Sequence, residues 1–420
     1  MRLTTTRRLD LTRVTVGALF LSLVLTSSSV PQLASLASVG RVAFIVALLL
    51  LLAQRPPHRR GLRRASLVFT ALWMCVSVAV VSAIWSYTPL YTFFYGSSLG
   101  ILVLTLHFFV YRRWRSKTDV VADLRAIFLV LSVVTVVGLA AVILGFDFAV
   151  GGDRGRGLFQ NANKFGGVSA LAAALGLALW NYDKRRLYLV LAAPLIVAVV
   201  ASGSRTAIIA IVLAGFLYIA TAPLGVKLSL GWIAAFFSTL WLLLRSFDLV
   251  DPLAEQGGTL GRFLLAEDEI ALSGRVAIWE YSLDVAGNSP LGVGFGAAPA
   301  YLTAMGSASA IDTGSVHNSY LQWFLETGFV GVLPLLFLLT VIVFLCLRLQ
   351  VGGSHNVLAP VVIAGLSMQI TESGIFGVGQ YYPWLFWLVV VALASLKDRE
   401  SETIADDAVV LDPSPRSNRS

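Results

Sequence analysis

Long apolar runs separated by short polar segments recur along most of this chain. Most runs are about 17–22 residues, enough for a helix to cross roughly 30 Å of hydrocarbon. The pattern predicts about twelve transmembrane helices, at 14–31, 36–53, 65–84, 92–111, 122–144, 165–180, 187–202, 205–221, 229–247, 328–347, 357–374 and 383–396. The longest interval without such a run is 248–327, too long for a simple connector. Within it Ser273 is suited to cap a helix and Gly287 to stop one, with Pro290 beyond. Val276, Trp279, Leu283 and Ala286 then form an apolar stripe at helical spacing, as on a helix lying over a bundle or a membrane interface. The segment after 397 is polar, holds two prolines and reads as a disordered tail. The expected organisation is a leading segment 1–13, helices one to nine over 14–247, a large loop over 248–327, helices ten to twelve over 328–396, and a tail over 397–420. That is an all-α integral membrane protein whose large loop carries an amphipathic helix.

Composition supports the pattern. Of 420 residues 57% are hydrophobic and 13% charged, against about 25% charged in soluble domains, and mean hydropathy is +0.81. A net charge of +8 raises nucleic acid as a partner, but the basic residues sit in short clusters between apolar runs. With a cytoplasmic N-terminus, 22 of the 31 Lys and Arg fall on the cytoplasmic side and seven outside. That bias orients the chain with both termini in the cytoplasm, as a multi-pass protein of a cell inner or plasma membrane. The first run, after Arg7, Arg8 and Arg13, reads as an anchor because no small-x-small cleavage site follows it. Cys75 and Cys346 both lie in apolar runs, which supports neither a disulfide framework nor a zinc site.

The seven outer cations (Arg41, Arg154, Arg156, Lys164, Arg205, Arg262 and Arg275) oppose the topological trend and so invite explanation. Arg205 follows the small-residue turn Ser202-Gly203-Ser204 at a helix start. Its guanidinium is suited to phosphate oxygens, or it is an interfacial anchor that snorkels to water. Arg275 opens the loop helix, where its charge opposes the helix dipole; an external anion or a loop carboxylate would explain it. Arg154 and Arg156, flanked by glycines, suit an anion cradle or a solvated loop. Asn161 and Asn163 suit sugar hydroxyls or a helix cap. His317, in Ser315-Val-His317-Asn318-Ser, is the histidine placed on the outer side; it suits general-base work near neutral pH or a plain hydrogen bond at a helix N-terminus. Glu372, near the outer end of an apolar span, is a functional carboxylate by position or the neutralising partner of an arginine. No Walker glycine loop, dinucleotide fingerprint or Cys/His cluster occurs, so no cofactor or metal is expected.

Four patterns in order carry a resemblance: Arg154-Gly-Arg156-Gly-Leu-Phe159-Gln-Asn161-Ala-Asn163; Ser204-Arg205; Ser273-Gly-Arg275 with Trp279, then Asn288-Ser-Pro290-Leu-Gly292-Val-Gly294-Phe-Gly296; and His317-Asn318 with Leu321, Glu326 and Gly328. Over about 145–375 the chain resembles the O-antigen ligase and polymerase superfamily. Ala162 departs from it where the family often has proline, which bears on the geometry of that turn. The resemblance implies an extracytoplasmic, metal-independent glycosyltransferase of cell-surface polysaccharide biosynthesis. Such enzymes take a glycan from a polyprenyl-diphosphate carrier, undecaprenyl diphosphate for example, and pass it to a glycan or glycolipid acceptor. It further implies that Arg205 and Arg275 hold the diphosphate and that His317 receives or orients the acceptor hydroxyl proton, while Arg154, Arg156, Asn161, Asn163 and Asn318 contact substrate. Ligase and polymerase both remain open on the residues. The rival is a multi-pass transporter of a glycan or anionic solute, which should place polar or broken helices near the midplane; here the polar residues gather on one face.

Overall fold

The computed structural model describes residues 10–57, 62–152, 154–220, 275–305, 315–347 and 357–411. Several helices begin where capping chemistry allows. Asp10 accepts the Thr12 N–H at 3.1 Å at the head of α1 (Leu11–Leu25). Proline opens α2 (Pro31–Ala53), where its missing N–H would have had no helical partner. The first amides of α3 (Arg63–Val81) are held from outside, since Arg64 and Ala65 donate to the Asp398 carboxylate at 3.0–3.1 Å. Proline again opens α4 (Pro89–Phe108). A reciprocal Ser116–Asp119 capping box starts α5 (Lys117–Ile143), and Asn161 caps α6 (Ala162–Asp183). The helices α7 (Arg186–Ala201) and α8 (Arg205–Ala220) flank the Ser202–Ser204 turn. Next come α9 (Arg275–Asn288), the short α10 (Ala298–Met305), α11 (Ser319–Leu347), α12 (Ala359–Met368) and α13 (Tyr381–Leu411). A two-residue antiparallel hairpin, β1 (Val150–Gly151) with β2 (Arg154–Gly155), is the sheet among the described residues.

The expected spans correspond to eleven of these helices, and 229–247 lies outside the described residues. Among the described residues, six helices are long and apolar enough to cross a membrane: Pro31–Ala53, Arg63–Ile84, Pro89–Arg113, Lys117–Ile143, Ala162–Asp183 and Ser319–Leu347. The apolar helices α1, α7, α8 and α12 are shorter, so length and composition support six crossings there. The stretch 384–396 of α13 is buried on every side, with Trp387, Val390 and Val391 at 0% exposure, making it the central post of the bundle. That helix continues to Leu411, past the end of the last apolar run.

The loop helix α9 is present, but Ser273 lies outside the described residues and the helix passes through Gly287 to Asn288. Its face differs from the expected stripe. Ile278, Ser282, Val285 and Ala286 are buried and Trp279 is half-buried, while Val276 and Leu283 are 45% and 53% exposed. The reason is the partner surface: α9 packs on α11, and Val285 and Ala286 join Val293, Ala297, Leu302, Val316 and Leu325 in a small core separate from the main one.

The glycine pattern 288–296 docks this small core on the bundle. Val293 and Gly294 amides donate to the Leu325 and Glu326 carbonyls at 3.0 and 2.8 Å, and Phe329 N–H donates to Pro290 O at 2.9 Å. Tyr87 N–H donates to Val293 O at 2.8 Å, and Phe295 N–H to Ser82 Oγ at 3.0 Å. The approach is too close for side chains: a Cβ at Gly294 (φ +100°) would fall 2.0 Å from Ser86 Oγ. Opposite it, α11 breaks at Gly328 (φ +61°), where a Cβ would fall 2.1 Å from Pro290 O.

Candidate functional site

The polar connection 369–380, between α12 and α13, gathers residues from distant parts of the sequence at one end of the bundle. Arg41 holds it from α2, donating to Gly379 O at 2.6 Å. Ser319, the first residue of α11, holds it through its amide, which donates to the Gln369 and Glu372 carbonyls at 2.9 and 3.1 Å. Ser319 Oγ lies 2.7 Å from Gln369 Oε1 and accepts the Gly374 N–H at 2.8 Å. From α8, Thr206 Oγ1 meets Thr371 Oγ1 at 2.6 Å.

Glu372 sits at the centre. Its Oε1 accepts Asn163 Nδ2 at 3.0 Å and faces Arg275 Nη2 at 3.9 Å. Arg275 also donates to Thr371 O at 2.7 Å. Burial raises the Glu372 carboxyl above its ordinary range, while Arg275, Asn163, Arg154 and Lys164 act against that rise. Arg154 completes the frame: Nη2 donates to Asn163 Oδ1 at 2.5 Å and Nε to Ser202 O at 2.9 Å. It thereby ties the turn that precedes Arg205 to the Asn163–Glu372 pair. Gly166 lets α6 approach that turn, since a Cβ there would fall 2.4 Å from Ser202 Oγ. Arg205 itself is exposed at the head of α8, one residue before Thr206. Arg154, Lys164 and Arg275 thus all bear on one carboxylate, and Thr206, the residue after Arg205, meets the same connection.

His317 is delivered by α9. Trp279 Nε1 donates to the Val316 carbonyl at 2.9 Å, fixing the backbone one residue before it. The histidine is half-buried at φ +52°, in the left-handed region that a non-glycine residue adopts only when its surroundings impose it. The His317 amide donates to Ser315 Oγ at 3.4 Å and the Asn318 amide to Ser373 Oγ at 3.1 Å. Burial first, and the Arg275 charge second, hold the imidazole below its ordinary pKa of 6.5. The first residue of α9 therefore bears electrostatically on the side chain that the same helix positions.

The candidates separate into two groups. Arg275, Arg154 and Asn163 meet around Glu372, and His317 joins them through the charge of Arg275. Arg156 instead donates to the Phe148 and Asp147 carbonyls at 3.0 and 3.1 Å and closes the hairpin. Asn161 Oδ1 accepts the Asn163 N–H at 2.7 Å, and Asn318 Oδ1 accepts those of Tyr320 and Leu321 at 3.1 and 3.0 Å, so both cap helices. Residues 188–337, which contain Arg205, Arg275, His317 and Asn318, match the family model described as O-Antigen ligase. That match supports the likeness to the O-antigen ligase and polymerase superfamily over this part of the chain. No curated protein matches it. Arg275 lies inside the matched residues, while the frame that holds it comes from outside them, through Asn163, Thr371 and Glu372. Of these, Glu372 carried a signal in the sequence, as a carboxylate at the end of an apolar run; Thr371 and Ser373 carried none.

Proposed function

We propose that this protein transfers a glycan from a polyprenyl-diphosphate carrier to a sugar hydroxyl of an acceptor at the outer face of the inner or plasma membrane. The observation that carries the proposal is the pairing of Arg275 and His317: one helix supplies the cation and, through Trp279, fixes the backbone beside the imidazole. In the proposed reaction the acceptor oxygen attacks the anomeric carbon and the bond from that carbon to the diphosphate oxygen breaks. The hydroxyl proton passes to His317, which is neutral at pH 7 because its pKa is depressed. The carrier leaves as its diphosphate, and Arg275 and Arg205 stabilise the negative charge that develops on the departing oxygen. Glu372, Asn163 and Arg154 orient Arg275 and the α8 turn rather than touching the reacting atoms. In the transport reading the same cations would bind an anion in transit; their collection at one end of the bundle beside a histidine favours chemistry.

The test is transfer by the purified protein from a synthetic polyprenyl-diphosphate glycan, with no nucleotide and no added metal. His317→Ala and Arg275→Ala are compared with the wild type. Release of carrier diphosphate coupled to glycan transfer, lost in both variants, is the expected result. Full transfer by either variant overturns the mechanism.

A further inference from the structure

A cavity of about 200 Å³ adjoins the site. Its walls include Tyr95, Phe295, Trp323, Gln322, Glu326 and Gln380, and it shares Ser315, Ser319 and Ser373 with the site. Ser315 and Ser373 accept the backbone amides of His317 and Asn318, and Ser319 heads α11, so the cavity adjoins the backbone that carries the histidine. It combines ring faces with a few fixed polar groups. Tyr95 and Phe295 lie with centroids 5.1 Å apart, and Phe295 and Trp323 5.6 Å apart. Glu326 is 2% exposed; it accepts Gln322 Nε2 at 2.9 Å and the Gly296 and Ala298 amides. A carboxylate at that depth is costly, and a position that only filled space would be served more cheaply by an apolar side chain. Gly296, at φ +77°, lets the loop carrying those amides reach it, since a Cβ there would fall 2.5 Å from the Tyr95 ring.

Charge decides what fits. Arg275, Arg154 and Lys164 bear on Glu372, whereas no lysine or arginine is among the described residues lining the cavity, so it offers nothing to balance a phosphate or a sugar acid. What remains is an uncharged polar ring small enough for the cavity. Its hydroxyls can donate to Glu326 and bond the Gln322 and Gln380 amides, while its C–H face lies on the aromatic wall. We infer that this cavity is a subsite for one uncharged pyranose, the terminal sugar of the acceptor, and that Gln322 and Glu326 select it. The inference rests on the proposed transfer for the word acceptor, but sugar binding itself does not depend on that reaction.

Two measurements on the full-length protein separate these dependencies. The first titrates detergent-purified protein with free glucose, galactose and N-acetylglucosamine, following tryptophan fluorescence, with Trp323→Phe identifying the reporter in the cavity wall. A saturable change for at least one sugar, weakened about tenfold or more in Gln322→Ala, is expected. No saturable change for any of the three overturns the inference, and a change that Gln322→Ala leaves intact places the sugar elsewhere and overturns it too. The second measures transfer: Gln322→Ala and Glu326→Gln raise the acceptor KM about tenfold or more and leave the donor KM in place. A rise in the donor KM instead assigns the cavity to the donor glycan and overturns the acceptor assignment. Sugar binding without transfer from any carrier would sink the proposed reaction and leave the subsite standing.

Discussion

Glu372 and a bound diphosphate compete for the same guanidinium. The perturbation that exposes this is Glu372→Gln, which keeps an oxygen for Asn163 Nδ2 and removes the charge 3.9 Å from Arg275. Two unit charges at that separation interact by about 4 kcal/mol at an effective dielectric constant of roughly 20. The side chains are 17% and 27% exposed, so solvent screening and the cost of ordering the pair bring the net value down to about 1 kcal/mol. Released from the carboxylate, Arg275 should bind diphosphate about fivefold more tightly. The assay is calorimetric binding of a short-chain prenyl diphosphate to protein in nanodiscs at low and high salt. The gain should shrink as salt rises, because the competing charges are partly exposed. Weaker or unchanged binding by the glutamine variant would refute the competition and make Glu372 a group that anchors Arg275 in place.

Two further outcomes follow from the geometry. The depressed His317 pKa keeps the imidazole neutral down to pH values below 6.5, so the acid limb of transfer should lie below 6.5 and activity should fall as pH drops through it. Arg275→Gln should raise the His317 midpoint in histidine-labelled NMR titration, and an unmoved midpoint would remove the coupling. At Gly328, alanine meets φ +61° and a Cβ 2.1 Å from Pro290 O; about 1–2 kcal/mol for the left-handed backbone and about 1–3 kcal/mol for overpacking should lower the melting temperature in nanodiscs, and a retained melting temperature would show that the docking contact is dispensable.

Much of the architecture was legible because hydrophobic run length is a local property. The helix start at Asn161 was equally local, since its cap reads a residue two positions ahead, whereas the Ser116 cap of α5 fell outside the expected span. The buried face of α9 was not. Val276–Leu283 and Ile278–Val285 are both apolar pairs seven residues apart, and the choice between them belongs to Val316, Leu325 and Ala297, which lie elsewhere in the chain. The site divides in the same way. Arg275 and His317 stood out as polar groups in an apolar chain. That Asn161 caps a helix while Asn163 links Arg154 to Glu372 depends on a residue more than two hundred positions later. The glycines of 288–296 entered the sequence reading only as part of the resemblance, and their purpose is the close approach to Glu326, Ser86 and Tyr95.

The depressed His317 pKa has a consequence for the order of events. A base held down by burial and by a neighbouring guanidinium accepts a proton poorly, and without donor that guanidinium faces Glu372 at 3.9 Å. In the proposed reaction the diphosphate brings further negative charge to Arg275. Its field opposes that of the arginine at His317 and raises the basicity of the imidazole at the moment a leaving group is present. The same titration of His317, repeated with a short-chain prenyl diphosphate bound, reads this directly as an upward shift. Proton acceptance is then strongest only when there is a glycan to transfer. The acceptor cavity, with no lysine or arginine among its described lining residues, fills independently of that switch.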